Sequence, residues 1–526
     1  MKIISKNINK IVILLLIGIF AILSFKKIYS SDTLVPNLEP YPDSLYYSVP
    51  AWNFVHGNGF VMKTQNTIIK QQTPPLYGIY LTPFFALFKD ARSFYFANMI
   101  LAVASIIFFV LIIETMFVGK GLYKAVLIFF LGFFLVTNFY FYTIPQLLMA
   151  EPITIFLVTL GIYLFVSKPT ILKTLIAGQI GFLLILVKLS NLPYGILLTI
   201  MFFTKYFSTK YLKTFLISFG VGIVYFLIYI FKSKLLFNHK NLQGGSDFNF
   251  NHLKQGLTVY ARTLFGKAGI RYLWFTEKFV PTIVVCLSIL GFIVGVLKAP
   301  NRKVSLFFLI FIFIVVLFMS FFVVQDLRYI IAILPVYLIF TGFLIQYISL
   351  RINNGWAILF MSIVIILSLL LKNQGYKENE RAIITFKKQI GLNLRHREVP
   401  WNYEAVKTFN KFTEKFSSKT IYIGTFLPAP YVEMFSNKKY KTLPISSWQE
   451  FYWLEPKLLQ NVIGGEDIAA GYKKLLLAGD KIYISHYYES NVPSQWPKQI
   501  KELTDNFVLT KVYQGCLGSC DIYQLK

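Results

Sequence analysis

The sequence predicts a polytopic α-helical membrane protein of about eleven spans that ends in a soluble α/β domain. Its 526 residues are 56% hydrophobic and only 14% charged, and their mean hydropathy of +0.59 lies above the range of ordinary soluble proteins. Apolar runs recur along residues 9–371, and about 20 apolar residues cross the ~30 Å hydrocarbon layer of a bilayer. After Lys372 the composition becomes that of a soluble protein. These three observations define the fold class.

The polar breaks between the apolar runs place the individual spans. The first run follows Lys2, Lys6 and Lys10 and lacks a small-residue cleavage site, so we expect a retained span rather than a cleaved signal peptide. The transmembrane part is expected to cover residues 1–371. We predict its spans at residues 9–26, 94–118, 125–142, 147–166, 173–188, 190–204, 213–231, 279–298, 304–324, 329–350 and 356–371.

Lysine and arginine between the spans predict the orientation. With the N-terminus in the cytoplasm, every predicted internal loop carries a basic residue, as the positive-inside rule requires. These loops are GKGLYK, SKPTILK, KYFSTKYLK, KAPNRK and RINN. The net charge of +28 is explained by this signal and by anionic lipid, so nucleic-acid binding is not expected. The outer face receives loop 27–93, loop 232–278 and the tail 372–526, and we expect the chemistry there.

The tail after Lys372 is predicted to be an extracytoplasmic α/β domain. Strand-like runs occur at residues 420–426, 481–488 and 507–513, with helical stretches between them. No glycine-rich phosphate-binding motif follows these runs, so a nucleotide site is not expected. Cys516 and Cys520 could form a disulfide if the tail faces an oxidising compartment.

The first outer loop contains an acid at the start of a predicted helix. In PDSLYYSVPAWNFVHGNGF, Asp43 precedes an apolar face at helical spacing, and Gly57 and Gly59 end the segment. A carboxylate in such a loop is commonly just solvated. At the start of a helix near the mouth of the bundle, however, it is also well placed to act as a general base on a hydroxyl. Residues 75–88 are apolar but short, which favours an interfacial helix or a re-entrant hairpin.

Three further charges are predicted to meet Asp43 on the outer side. Glu151 lies just inside the fourth span, where an unpaired carboxylate costs about 2.5 kcal/mol or more. Lys188 ends the fifth span, and Arg328 begins the tenth. Each cation alone could simply snorkel to the interface. Their shared depth with two carboxylates instead favours a polar cavity that binds a charged ligand.

The order of these motifs resembles the membrane-embedded glycosyltransferases of the GT-C type, which include protein O-mannosyltransferases and lipid A aminoarabinose transferases. The matching stretches are PDSLYYSVPAWNFVHGNGF, TPPLYGIYLTPFFALF, AEPITIFLVTLGIYLF and LRYIIAILPVYLIF, followed by the soluble tail. The resemblance implies an inverting transfer of a sugar from a polyprenyl-phosphate donor to a hydroxyl acceptor on the outer face of the membrane.

The resemblance also implies roles for particular residues. Asp43 matches the catalytic aspartate, and Glu151 matches a second acidic position. Arg328, Lys188 and Lys70 are expected to bind the donor phosphate, and Tyr46, Tyr329, Arg262 and Arg271 are expected to contact substrate.

The sequence departs from the family at two positions. Ser44 stands where the family often has glutamate, so no divalent metal and no other cofactor are predicted. Thr73 stands where it often has lysine, which is why Lys70 is considered for the phosphate. The richness in Lys, Ile, Asn and Phe is typical of a bacterium with an AT-rich genome, which favours the bacterial plasma membrane.

Other function classes remain open at this point. A transporter or flippase for a lipid-linked or anionic substrate would also place charges between its spans. Such proteins tend to contain a repeat of one half in the other, and no such repeat is apparent here. An enzyme of the same fold that polymerises or ligates glycans, or an inactive scaffold, are further alternatives.

Overall fold

The computed structural model describes most of the helical part and most of the tail. The described residues are 2–28, 35, 37–38, 41–69, 71, 73–119, 121–233, 250–265, 271–272, 275–276, 280–297, 302–322, 326–369, 402–416, 421–445, 456–465, 467–485, 503–516 and 520–526. Lys70, His239 and the segment 370–400 lie outside them.

Helices dominate the described residues up to 369. In chain order these are α1 (Lys2–Ile28), α2 (Asp43–Val55), α3 (Leu76–Phe88), α4 (Phe94–Met116), α5 (Gly121–Val136), α6 (Phe139–Thr143), α7 (Glu151–Val166), α8 (Ile171–Val187), α9 (Leu192–Tyr206), α10 (Leu212–Ser233), α11 (Phe250–Leu264), α12 (Thr282–Leu297), α13 (Arg302–Met319), α14 (Leu334–Arg351) and α15 (Asn354–Leu369). Two two-residue strands, β1 (Lys63–Thr64) and β2 (Thr67–Ile68), pair as a hairpin between α2 and α3. A second pair of two-residue strands, β3 (Arg271–Tyr272) and β4 (Phe275–Thr276), lies between α11 and α12.

The chain is a multi-pass membrane protein, and helix occupies most of each of the eleven predicted spans. By length and composition, four described helices can cross a membrane: α4, α10, α13 and α14. A fifth span results if α5 and α6, which bend by 64° at residues 137–138, count as one. The other apolar helical stretches that are found among the described residues, such as Ile8–Ser24 within α1, are shorter, at 10–17 residues. The count of eleven spans therefore stays a prediction.

The helix α14 lies at the centre of the bundle, whereas α10 lies at its periphery. In the most apolar stretch of α14 89% of residues are buried, against 17% for α10. Close backbone contact fixes α14 against α12, because a Cβ atom on Gly291 would lie 1.7 Å from the carbonyl oxygen of Phe340. Any larger residue at position 291 would push the two helices apart. Ser288 and Thr341 share a hydrogen bond of 2.8 Å across the same contact.

The two helices of residues 27–93, α2 and α3, pack on each other. The predicted helix after Pro42 is present as α2, and Gly57 and Gly59, with φ of +77° and +80°, follow its end as predicted. The segment 75–88 forms α3, a 13-residue helix. A Cβ atom on Gly78 of α3 would lie 2.9 Å from the carbonyl oxygen of Tyr47 on α2. Glycine at this position lets the two helices approach each other closely.

The tail contains a five-stranded mixed sheet with helices between its strands. The strands are β5 (Ile421–Gly424), β6 (Tyr440–Leu443), β7 (Lys481–Ser485), β8 (Leu509–Tyr513) and β9 (Ile522–Leu525), in the spatial order β6-β5-β7-β9-β8. The pairs β5–β6 and β5–β7 are parallel, and β7–β9 and β8–β9 are antiparallel. The described helices of the tail are α16 (Asn402–Thr413), α17 (Ala429–Phe435), α18 (Pro456–Ile463) and α19 (Ile468–Leu477). The sequence predicts β5, β7 and β8 but misses β6 and β9.

The hairpin β1–β2 joins the tail to the segment between α2 and α3. Its turn residues Gln65 and Asn66 both have positive φ, at 47° and 62°, as a tight two-residue hairpin turn requires. Glu433 of α17 accepts hydrogen bonds from the Gln65 backbone N–H at 2.6 Å and from the Thr64 hydroxyl at 2.7 Å. The Gln65 side-chain amide donates to the carbonyl oxygen of Thr442 in β6 at 2.6 Å. The tail is therefore docked directly on the segment that follows α2.

We predict that Glu433→Ala weakens this docking. The change leaves two donors of the hairpin without their acceptor, which costs about 1–3 kcal/mol for each buried group that stays unpaired. We expect a lower midpoint of thermal unfolding for the tail and faster proteolysis at the hairpin. The matched control is Glu414→Ala, since Glu414 is exposed on the same domain. Equal midpoints of thermal unfolding for Glu433→Ala and Glu414→Ala would show that the contact with the hairpin does not hold the tail in place.

Candidate active site

Five charged side chains from four distant segments meet at one end of the helical bundle. We name Asp43, Glu151, Lys188, Asp326 and Arg328 the charge cluster. Three ion pairs connect its members, namely Arg328 with Asp43 at 3.2 Å, Arg328 with Asp326 at 3.3 Å and Lys188 with Glu151 at 3.2 Å. The structure thus brings together the two acids and two of the cations that the sequence analysis selected.

Helix ends place most of these charges. Asp43 is the first residue of α2 and Glu151 the first residue of α7, so both carboxylates stand at the positive end of a helix dipole. Lys188 caps the C-terminus of α8, where a cation is favoured. Prolines 42 and 152 flank the two acids at the helix starts, where a missing backbone N–H has little cost. Local sequence therefore sets where each charge lies along its helix.

Arg328 is the centre of the cluster. It lies on a short 3-10 turn, Leu327–Tyr329, in front of α14. Its guanidinium contacts Asp326 and also Asp43, which lies 285 residues earlier in the chain. Only 13% of the Arg328 side chain is exposed, whereas the Asp43 side chain is 38% exposed. The acid of this pair is thus the member that solvent, or a substrate, can reach.

The aromatic ring of Tyr329 connects the two cations. The Lys188 ammonium lies 4.9 Å from the ring centroid, and the Arg328 guanidinium lies 5.2 Å from it. Both distances fit cation–π contacts. The backbone carbonyl of Tyr329 accepts a hydrogen bond of 2.7 Å from the Tyr194 hydroxyl of α9, which fixes the turn against the bundle. The two positive charges are therefore held on one aromatic surface.

Glu151 retains an unused acceptor. Its Oε1 atom accepts a hydrogen bond from the Lys188 ammonium at 3.2 Å. Its Oε2 atom is buried and has no hydrogen-bond partner among the described residues. A buried carboxylate oxygen without a partner is costly. It is a natural acceptor for a hydroxyl group of a bound molecule.

Asp326 is a cluster member that the sequence analysis missed. Its side chain accepts the backbone N–H of Arg328 at 3.0 Å and caps the 3-10 turn. Burial raises the pKa of the Asp326 carboxyl above its ordinary value, and the neighbouring Arg328 guanidinium opposes that rise. The signal was present in the sequence, because an acid two residues before Arg328 is a common cap for such a turn.

Tyr47 is a second residue that the sequence analysis missed. It is buried on α2, one helical turn after Asp43, so the two side chains share a face. Burial raises the pKa of its hydroxyl well above the usual range, and the carboxylates of Asp43 and Glu151 raise this pKa further. The i, i+4 spacing from Asp43 could have identified it.

A polar chain behind Tyr47 supports the segment that leads into α7. The Tyr47 and Tyr77 rings lie edge to face at 5.2 Å. The Tyr77 hydroxyl donates to the Asn98 side chain at 2.8 Å, and the Asn98 amide donates to the carbonyl of Leu147 at 2.8 Å. Residues 144–150, directly before Glu151, are all buried. The position of Glu151 is thereby tied to α2, α3 and α4.

The other predicted site residues are placed differently. Tyr46 is buried, with 2% of its surface exposed, next to the cluster residue Asp43 along α2. Arg262 is exposed on α11, two positions after Tyr260, whose hydroxyl reaches the carbonyl of Asp326 at 3.4 Å. Two positions are about 200° around a helix, so Arg262 faces away from Tyr260. The strand Arg271–Tyr272 lies against the 3-10 turn of Arg328. The substrate contacts of these residues stay predictions.

The cluster has the elements of a proton-transfer and anion-binding site. Its three carboxylates and two cations have a formal charge of −1 at neutral pH. Among the described residues, no group of three acidic, histidine or cysteine side chains is arranged to hold a metal ion. With this formal charge, an anionic ligand binds most favourably if a cation exchanges one of its carboxylate partners for the ligand. The most exposed partner, Asp43, is the one that is easiest to release.

We predict that Lys188→Met destabilises the protein and that Glu151→Gln restores much of the loss. Lys188→Met leaves the Glu151 carboxylate, 5% exposed, as an unpaired buried charge, which costs about 3 kcal/mol. In the double variant neither charge remains. Thermal unfolding of the detergent-purified protein measures both effects. If the double variant unfolds at the temperature of Lys188→Met, the two side chains are not coupled.

Comparison with known proteins supports the architecture. No protein-family model matches the sequence, and no curated protein matches it. The crystal structure of ArnT from Cupriavidus metallidurans bound to undecaprenyl phosphate matches 97% of this chain and 97% of its own, with a TM-score of 0.59 and 10% identity. AglB from Archaeoglobus fulgidus, an oligosaccharyltransferase in complex with an inhibitory peptide and a dolichol-phosphate, matches 91% of this chain and 70% of its own, with a TM-score of 0.45 and 10% identity. Because its TM-score is below 0.5, the AglB match adds nothing to the match with ArnT. The likeness to ArnT over the whole length shows the fold, and this chain is a membrane protein with the GT-C type fold.

Proposed function

We propose that the chain is an inverting glycosyltransferase that moves a sugar from a polyprenyl-phosphate donor to a hydroxyl group on the outer face of the plasma membrane. The observation that carries the proposal is the contact of Asp43 with Arg328 at 3.2 Å. It places a solvent-accessible carboxylate and a buried cation side by side. The fold agrees with this, because the ArnT structure of the same fold is bound to undecaprenyl phosphate.

Asp43 acts as the general base. Its side chain is 38% exposed, against 5% for Glu151 and 9% for Asp326, so an acceptor hydroxyl reaches Asp43 most easily. The carboxylate takes the hydroxyl proton while the acceptor oxygen bonds to the anomeric carbon of the sugar. The bond from that carbon to the phosphate oxygen breaks on the opposite face. A single displacement of this kind inverts the anomeric centre.

Arg328 and Lys188 stabilise the leaving phosphate. Both cations lie against the Tyr329 ring, and the ring limits the positions that the two side chains can adopt. Charge on the departing polyprenyl phosphate grows during the reaction, so fixed cations lower the energy of the transition state more than that of the ground state. Lys70 is proposed as a further phosphate contact, and it lies outside the described residues.

The ion pair between Arg328 and Asp43 gives the reaction an order. While Arg328 holds Asp43, the guanidinium occupies a carboxylate oxygen that would otherwise accept the proton of the acceptor hydroxyl. A donor phosphodiester that binds Arg328 replaces Asp43 as its partner, because its two non-bridging oxygens can accept two guanidinium N–H groups, whereas Asp43 accepts one. Asp43 is then released towards the acceptor. The base therefore becomes active when the donor is in place.

Glu151 orients the substrate. The Oε2 atom of Glu151 is buried without a partner among the described residues, and a sugar hydroxyl could satisfy it. The Lys188 ammonium holds the other oxygen of the same carboxylate. A hydrogen bond at this position fixes the sugar ring relative to Arg328 and Asp43, which raises the rate by orientation.

The outer location of the site and of the tail is supported by two features. The basic loops at the other end of the bundle favour that end as the cytoplasmic one. Cys516 and Cys520 form a disulfide in the tail, which is typical of an oxidising compartment. The hairpin β1–β2 docks the tail beside α2, so we assign the tail a part in choosing the acceptor.

We predict that Asp43→Asn lowers kcat by about 100-fold or more, because the amide cannot accept the acceptor proton. The measurement is sugar transfer from a polyprenyl-phosphate donor by the purified protein in detergent, with products identified by mass spectrometry. The donor and acceptor are found first by comparing the glycans and glycolipids of cells with and without the gene.

The matched control for this variant is Asp90→Asn. Asp90 also pairs with an arginine, Arg92 at 2.5 Å, and also lies at the start of a helical segment, but it lies outside the charge cluster. Asp90→Asn is expected to keep wild-type turnover. Full sugar transfer by Asp43→Asn would remove Asp43 as the base. Absence of sugar transfer by the wild type, together with movement of a lipid-linked substrate across vesicles, would favour a transporter or flippase.

We also propose that the transfer needs no divalent metal, since Arg328 and Lys188 supply the positive charge that a metal would otherwise provide. Turnover is expected to be unchanged after treatment with a chelator such as EDTA. Loss of turnover in the chelator that returns with magnesium or manganese would contradict this part of the mechanism and leave the role of Asp43 to its own test.

A further inference from the structure

A second cleft opens at the other end of the helical bundle from the charge cluster. Its volume is about 550 Å³, and it lies between the ends of α4, α7 and α9 and the start of α13. The helix α7 begins with Glu151 of the charge cluster and ends with Val166 of the cleft. At about 1.5 Å per residue, these two residues are about 22 Å apart along the helix. The cleft is therefore separate from the proposed transfer site.

Two lysines supply the charge of this cleft. Lys205 and Lys303 line it, and its described lining includes no carboxylate. The Lys205 ammonium donates to the carbonyl oxygens of Leu164 and Ser167 at the end of α7. Those two bonds fix the ammonium in place, and its third N–H remains for a ligand. Lys303 is exposed at the start of α13.

The nearest acid on α4 does not neutralise these lysines. Glu114 precedes Thr115, which lines the cleft. The Glu114 side chain accepts a hydrogen bond of 2.9 Å from Asn9 of α1, and α1 is not among the helices that form the cleft. The charge that the cleft presents is therefore positive.

The walls of the cleft are partly apolar, and exposed apolar residues lie close to them in the sequence. Met116, Phe165 and Phe307 line it, and the two phenylalanine rings pack edge to face at 5.7 Å. Near these wall residues in the sequence, Val118 is 68% exposed and Leu306 is 47% exposed. In a membrane protein such exposed apolar side chains face lipid tails. A ligand here thus meets cations and hydrocarbon together.

We infer that this cleft binds the headgroup of an anionic phospholipid, with the phosphodiester between Lys205 and Lys303 and the acyl chains along the apolar wall. A basic pocket between helices next to hydrocarbon suits such a lipid. A free phosphate ion would use the two lysines but would gain nothing from Met116, Phe165 and Phe307. The site is independent of the sugar transfer proposed above.

The experiment measures lipid binding to the full-length protein. Delipidated protein in detergent is titrated with phosphatidylglycerol, with zwitterionic phosphatidylcholine or with inorganic phosphate, and bound lipid is counted by native mass spectrometry. We expect phosphatidylglycerol to bind preferentially. Lys303→Gln and Lys205→Gln should each weaken its binding about fivefold, which corresponds to about 1 kcal/mol per lysine.

The matched control is Lys210→Gln, because Lys210 is exposed at the same end of the bundle but does not line the cleft. It is expected to bind phosphatidylglycerol as the wild type does. Since Lys205 also holds the end of α7, Lys303→Gln is the decisive variant if Lys205→Gln fails to fold. The inference is overturned if Lys303→Gln binds the lipid like the wild type, if Lys210→Gln loses as much, or if millimolar phosphate displaces the lipid completely.

Discussion

The burial of charge at one end of the bundle is the constraint on which the rest of the structure depends. Arg328 is 13% exposed and Glu151 is 5% exposed, and neither charge is tolerable there without its partner. The partners lie at the start of α2, at the end of α8 and in the turn before α14. These three points of the chain must therefore lie at the same depth. The three ion pairs add little net stability, but they restrict how the helix ends can be arranged relative to one another.

Packing and hydrogen bonds around the charge cluster then hold its members in register. Gly78 lets α3 approach α2, and the chain of contacts from Tyr47 through Tyr77 and Asn98 reaches the backbone before Glu151. Each contact involves an atom that is buried, so its loss cannot be compensated by water. The acid that opens α2 and the acid that opens α7 are therefore positioned by one continuous support, although about a hundred residues separate them in the chain.

Local features of the sequence were sufficient for most elements, and long-range contacts were not. Gly57 and Gly59 predicted the end of α2, and the intramembrane position of Glu151 and Lys188 predicted a polar site between helices. The sequence analysis missed Asp326 and Tyr47 because each gives only a weak local signal. Asp326 matters because it pairs with Arg328, and Tyr47 matters because it lies one helical turn after Asp43. The contact between Arg328 and Asp43 joins residues that are far apart in the sequence. The same reason explains why strands β6 and β9 were missed: each is a short segment whose strand character depends on its neighbours in the sheet.

The hydrogen bonds between the hairpin β1–β2 and the tail have a consequence for protein engineering. The turn of the hairpin lies shortly after α2 in the chain, and its contacts with Glu433 and Thr442 depend on these side chains and on the backbone conformation of the turn. In a chimaera that received only the tail of a relative, the unchanged turn of the hairpin would face a tail surface with different side chains. Modular exchange between such proteins should therefore transplant residues 61–69 along with the tail, treating the two as one inherited unit.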